Sequence, residues 1–171
     1  MKRIYTTIFL SVLSSAIFGQ SLSKIGKEHI KDYEKCMLTA YWDSNGYSIG
    51  YGHHGSDVKK DMKISKAKAN DYFNNDIKTV EESAKRIIKS LPYKYTFSQG
   101  FFDGLCDLIY NCGEGGVRAS VFYKRLQNCR VNKGIMNESD YNFTIAAVKT
   151  CRISCEGHKS RRYKTYKMML N

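Results

Sequence analysis

Apolar side chains recur at helical spacing through most of the 171-residue chain and crowd into one short strand-like stretch. Over residues 65–90, Ala69, Tyr72, Phe73, Ile77, Val80, Ala84, Ile87 and Ile88 fall on one stripe, which predicts a long amphipathic helix. Pro92 stops any continuation, because proline lacks an amide hydrogen and its ring collides with the preceding turn. An earlier helix is predicted over residues 21–37, with Ile25, Ile30, Tyr33 and Met37 near one face. Thr96-Phe97-Ser98-Gln99 reads as a capping box, Gln99 reaching back to the cap. It opens a core helix through Phe101, Leu105, Leu108 and Ile109, in which Gly104 implies close helix packing. The glycine-rich run Asn111-Cys112-Gly113-Glu114-Gly115-Gly116 ends that helix. Three further helices are predicted: residues 120–128 with Val121, Phe122 and Leu126 inward, 140–151 with Tyr141, Ile145 and Val148 inward, and 160–170.

Residues 38–54 carry a different pattern. Tyr41, Trp42, Tyr47, Ile49 and Tyr51 suit strands, and Asn45-Gly46 suits a tight hairpin turn, so a small antiparallel sheet is predicted. A polar loop follows to residue 63. Gly50 and Gly52 remove side chains where a polymer could approach the backbone, although turn chemistry alone accounts for Gly46. Two acidic residues bracket the junction of helix and sheet: Glu34 near the end of the first helix and Asp43 beside the hairpin turn, with the hydroxyl of Ser48 after it. A helix end facing a hairpin brings these three groups to one cleft. Glu34 lies one turn beyond Ile30, near the apolar face, where burial raises a carboxyl pKa and keeps it protonated as a general acid requires. The alternative is a surface glutamate pairing with Lys31 or Lys35. Asp43, beside a wet turn, stays ionised.

Composition bounds the setting. Lys and Arg number 28 against 16 Asp and Glu, a formal charge of +12, so the surface attracts polyanions unless it is simply a solvated basic face. Residues 1–20 read as a secretory signal: Lys2 and Arg3, then an apolar run over residues 8–18, with small residues at Ser14, Ala16 and Gly19 as cleavage points. The run is short for a membrane span, and an uncleaved anchor is the alternative. Residues 21–171 remain as one domain. Secretion or a periplasmic location makes envelope polymers, rather than chromosomal DNA, the expected anionic partner. The six cysteines of an exported chain imply disulfides whose pairing the sequence does not choose. Cys106 and Cys112 stand at opposite ends of one predicted helix and are expected to pair elsewhere; Cys151 and Cys155 pair only if a helix breaks between them. With no C-x-x-C, phosphate loop, nucleotide fingerprint or Ser/His/Asp set, neither metal nor cofactor is expected.

The ordered set Glu34, Tyr41-Trp42-Asp43, Gly46 and Ser48-Ile49-Gly50-Tyr51-Gly52-His53 resembles the phage-type lysozymes, or endolysins, of glycoside hydrolase family 24. Asn111-Cys112-Gly113 matches the family's Asn-x-Gly, and Arg161-Arg162 echoes a double arginine in its last helix. Two details depart: Ser48 replaces the usual threonine, and Thr165 or Tyr166 stands where the family often has glutamate. The resemblance covers about residues 22–170. It implies an α+β, mostly helical, lysozyme-like fold: a small antiparallel sheet lobe and a larger helical lobe joined by the long helix. It also implies an inverting muramidase that cleaves between N-acetylmuramic acid and N-acetylglucosamine in peptidoglycan. Glu34 is then the acid, Asp43 orients or deprotonates the attacking water, and Ser48 holds that water or positions Asp43. Tyr47, Gly50, Tyr51 and Asn111 are the expected substrate contacts. Tyr41, Trp42, Tyr47 and Tyr51 are either stacking platforms for sugar rings or hairpin packing. An ion pair between His53 and Asp76 is expected to brace the sheet lobe, with His53 titrating above its ordinary value and Asp76 below. The expected molecule is a monomer that binds no nucleic acid and meets a membrane only if the leader is retained. Its rivals are a non-catalytic wall-binding or antimicrobial module on the same fold and, from charge alone, a secreted nucleic-acid binder.

Overall fold

The structure, a computed structural model, describes residues 20–44, 46–93, 95–132, 135–136, 138–150 and 156–171. The expected leader lies outside these residues apart from Gln20, as do Cys151 and Cys155. In chain order the elements are α1 (Lys24–Glu34), β1 (Met37–Asp43), β2 (Gly46–Gly50), β3 (His53–His54), α2 (Lys66–Lys89), α3 (Gln99–Arg118) and α4 (Val121–Gln127). The two-residue strands β4 (Val131–Asn132) and β5 (Ile135–Met136) follow, then α5 (Glu138–Ala146), a 3-10 turn (Ala147–Thr150) and α6 (Glu156–Met169).

Serine starts four of the helices. Ser23, Ser65, Ser98 and Ser120 each sit in extended backbone, and each side chain accepts from the amide three residues on. Each satisfies a donor that the helix itself leaves unpaired, worth about 1 kcal/mol. The cap of α3 is therefore Ser98, not Thr96. Gln99 donates instead to the Ser21 carbonyl and to Asp103 Oδ1, tying α3 to the start of α1.

α1 is shorter than its apolar pattern suggests. Lys35, with φ 50°, turns the chain out of the helix immediately after Glu34. Met37 consequently opens β1, and Ile25 is 70% exposed, so Ile30 is the core anchor of this helix. β1, β2 and β3 form an antiparallel sheet in sequence order, pairing Trp42 with Tyr47, Tyr41 with Ser48, and Ser48 with His54. The free edge of β1 is covered in part by residues 62–64 through Ala40 N to Met62 O and Ile64 N to Leu38 O.

α2 runs the length predicted and buries Ala69, Phe73, Ile77, Val80, Ala84, Ile87 and Ile88, connecting the sheet lobe to the helical lobe. α3 is the central helix. Phe101 through Ile109 are all buried, and Asp103 and Asp107 are buried with them. Its helical backbone breaks at Gly113 (φ 70°, ψ 160°), a left-handed conformation glycine adopts at little cost, and then resumes to Arg118. The glycine run thus kinks the helix rather than ending it. In α4, Phe122 and Leu126 point inward, whereas Val121 is exposed because it is the first residue after the cap. Ile145 and Val148 are buried as expected.

Among the described residues no disulfide is seen: Cys36, Cys106 and Cys129 carry free thiols, Cys106 buried in the core and Cys129 facing the Thr144 hydroxyl at 3.0 Å. The Cys112 sulfur accepts from Arg162 Nη2 at 3.2 Å. Among the described residues no helix is long and apolar enough to cross a membrane, and no group of three His, Cys, Asp or Glu side chains is arranged to hold a metal ion.

Candidate active site

Glu34 is the last residue of α1, and the turn at Lys35 presents its half-buried carboxyl toward the sheet. The dry apolar surrounding expected for it is absent. Glu34 Oε1 instead accepts from Arg161 Nη1 of α6 at 2.5 Å. The other oxygen faces Gly52, where an added Cβ would stand 3.6 Å from Oε2. Without that side chain, Oε2 stays accessible.

Asp43 closes β1 at the exposed hairpin, and its Oδ1 accepts from the Ser44 hydroxyl at 3.3 Å. Burial pushes the Tyr41 phenol up, and both Asp43 and Glu34 add to that rise, while a hydrogen bond with Ser48 pulls the other way. Ser48 is 1% exposed, and its Oγ lies 3.3 Å from His54 Nδ1. Its partners are therefore Tyr41 and His54, which hold the hairpin's inner surface together.

The expected substrate contacts divide. Tyr47 is half-buried and packs edge-on against Trp42, with centroids 5.2 Å apart; Trp42 itself is 63% exposed. Tyr51 turns inward. Its ring packs on Phe73 with the ammonium groups of Lys31 and Lys66 over it, and its carbonyl accepts from the Tyr110 hydroxyl at 2.7 Å. Its ring is thus a core element rather than an open stacking face. Gly50 is buried too, with an added Cβ 3.4 Å from Ala69 Cβ, so its small size serves packing of the sheet on α2. Asn111 Oδ1 accepts a very short bond from Arg162 Nη2, which links α3 to α6.

His53 does pair with Asp76: Nδ1 lies 2.9 Å from Oδ1 and 3.0 Å from Oδ2. Nε2 faces Asp57 at 3.3 Å, and the ring stacks on Tyr72 at 4.0 Å. The expected lowering of Asp76 is corrected. Burial pushes its carboxyl up, and the hydrogen bond and charge of His53 only partly offset this.

Sequence reasoning missed the support behind Glu34. Arg161 is buried and also holds Asp107 of α3, its Nε 2.8 Å from Oδ1. Thr165 Oγ1 donates to Asp107 Oδ2 at 2.5 Å, and His29 Nε2 stands 3.5 Å from the same oxygen. The available signal was a carboxylate in the middle of an otherwise apolar helix, since such a residue is seldom buried without a partner. Chemically, the sheet lobe and the end of α1 offer one carboxyl on an ion-paired mount and a second at an exposed turn.

The Phage lysozyme family model matches residues 31–164. The endolysin of Bacillus phage PZA is 31% identical over 112 residues, which are 64% of this chain and 42% of that protein. The endolysin of Salmonella phage P22 is 30% identical over 110 residues, 61% of this chain and 72% of that protein. The chain therefore spans about two fifths of the length of the Bacillus phage relative. Among solved structures, an endolysin from Escherichia coli O157:H7 phage FAHEc1 superposes with a TM-score of 0.70 at 28% identity, covering 90% of this chain and 95% of that one. The muramidase domain of SpmX from Asticcacaulis excentricus shares the fold, with a TM-score of 0.71 at 18% identity over 89% of this chain and 99% of that one.

Proposed function

The chain belongs to the phage lysozyme family, and on that premise we propose that it is an exported muramidase hydrolysing the β-1,4 bond between N-acetylmuramic acid and N-acetylglucosamine in bacterial peptidoglycan. Cleavage needs a proton on the departing oxygen and stabilisation of an oxocarbenium-like state, and two carboxyls in different environments supply both. Glu34 gives its proton to the leaving oxygen. Water attacks the anomeric carbon from the opposite face, and Asp43 at the solvated hairpin takes the proton that water loses. The result is inversion of the anomeric configuration. Ser48 acts through Tyr41 and His54, fixing the strand that carries Asp43.

What supports this reading is the Glu34 carboxyl at the end of α1, facing Gly52 just after β2, in the small sheet whose first hairpin carries Asp43. The formal charge of +12 favours residence on an anionic wall. Turbidity loss of purified cell walls tests the proposal. Wild type is expected to clear walls, and Glu34→Gln to lose nearly all of that activity. Equal clearing by both assigns the chain to a non-catalytic wall-binding module. Intact mass of the protein recovered from outside the cytoplasm tests export: a mass lacking the residues 1–20 segment supports it, and full-length mass points to a retained anchor.

A further inference from the structure

Asp107 is 0% exposed in the middle of α3, where an unpaired carboxylate would be costly. Its Oδ1 accepts from Arg161 Nε at 2.8 Å, and Nη2 stands in ion-pair contact with the same oxygen at 2.7 Å without hydrogen-bonding geometry. Its Oδ2 accepts from Thr165 Oγ1 at 2.5 Å, with His29 Nε2 at 3.5 Å and Arg162 Nη1 at 3.8 Å. Held through Nε, the planar group turns another nitrogen toward the end of α1. That nitrogen, Nη1, donates to Glu34 Oε1. Burial pushes the Asp107 carboxyl up, but neighbouring His29 and the Arg161 guanidinium outweigh it and hold it down to about 2, so the contact is ionic at any pH used for wall cleavage.

We propose that Asp107 is a positioning residue for Glu34, acting through the Arg161 guanidinium; the proposal rests on the hydrolase reading given above. Two features argue for it over a purely structural buried pair. One planar guanidinium joins the two carboxylates, Nε donating to Asp107 and Nη1 to Glu34, so the orientation of one bond constrains the other. Asp107 also shares the guanidinium charge, so that Glu34 meets a cation already partly neutralised. Thr165, which bonds Oδ2 and the Arg161 carbonyl at 2.8 Å, sets the carboxylate's own rotation. Loosening this mount moves a proton donor that must be placed to a fraction of an ångström, which costs rate more than substrate affinity.

The experiment measures kcat, KM and the melting midpoint on soluble peptidoglycan fragments for Asp107→Asn, Thr165→Val and the double variant Asp107→Asn with Thr165→Asp. Asp107→Asn is expected to lose kcat by about tenfold or more with KM within about twofold. Thr165→Val, which leaves every charge in place, is expected to lose about threefold. The double variant returns a carboxylate beside the same guanidinium and is expected to recover kcat to within about threefold of wild type, a rescue that a packing role does not provide. A folded Asp107→Asn with wild-type kcat overturns the proposal. Should that variant not fold, Thr165→Val decides: lost kcat at constant KM supports the proposal, and wild-type kcat overturns it. Wild type without wall-cleaving activity removes the hydrolase reading and the proposal together. An active wild type, an inert Glu34→Gln and a fully active Asp107→Asn remove the positioning role alone.

Discussion

Arg161 on the last helix donates to Glu34 at the end of the first, 2.5 Å away across 127 residues of chain. The side chain at the head of the cleft is thus held from the far end of the sequence. A lysine at this position offers a single ammonium and no fork, so it cannot grip Asp107 and reach Glu34 at once. Arg161→Lys is expected to lower wall clearing by about a hundredfold and to lower the melting midpoint. Assays run below that midpoint check it, and activity within twofold of wild type would contradict the mount.

Ser48 presents a second test. Its hydroxyl is enclosed by Tyr41 and His54, and threonine would add a methyl that restricts its rotamers. Ser48→Thr is expected to turn over walls at a rate equal to wild type or a few-fold higher. A loss beyond about tenfold would show that the enclosed site has no room for the methyl, and that the hydroxyl works by a different contact.

The long helix and the hairpin were legible in the sequence because each is a local pattern: a stripe of eight apolar residues in one, strand formers around Asn45-Gly46 in the other. Glu34, Asp43 and Ser48 were singled out by order and spacing, and their roles belong to the proposal above. The end of α1 was not, because Lys35 adopts a positive φ that no residue preference announces. Nor was the role of the double arginine. Arg161 finds Glu34 and Asp107 only once three helices have packed, and neither partner is near it in sequence. The sequence left Tyr51 open between sugar stacking and packing, because an aromatic residue in a strand does not reveal which side of the sheet a helix covers; its ring packs on Phe73.

The Asp107 mount also carries a signature in acid. Its folded pKa lies near 2, below its ordinary value of 3.8, so its stabilisation is present above the ordinary value and is lost as pH falls through about 2. The contribution is about 2 kcal/mol. His29, Arg161 and Arg162 are the charged or titratable partners that face it. Denaturant unfolding at pH 5 and pH 2 is expected to show wild type losing about 2 kcal/mol more than Asp107→Asn over that interval. Equal losses would contradict the assignment. Asp76 acts in the opposite sense: its folded pKa is raised, so its contribution is present below its ordinary value and is lost as pH rises through the folded one.

Two glycines on α3 separate hard from soft packing against α6 and the chain end. A Cβ at Gly104 meets the Met169 side chain, which is flexible, whereas one at Gly100 meets the Met168 backbone carbonyl. Gly104→Ala is expected to cost about 1 kcal/mol or less and Gly100→Ala at least about 2 kcal/mol. Urea midpoints of the two variants check the order, and a reversed order would show that the chain end is not docked on α3 as described.

The most direct test of the whole account is wall clearing by the folded Glu34→Gln variant, whose amide keeps the shape of the side chain but has no acidic proton to give. The account predicts that purified walls lose turbidity with wild type and that the Glu34→Gln rate is lower by at least about a thousandfold. A Glu34→Gln protein that clears walls as fast as wild type would contradict it.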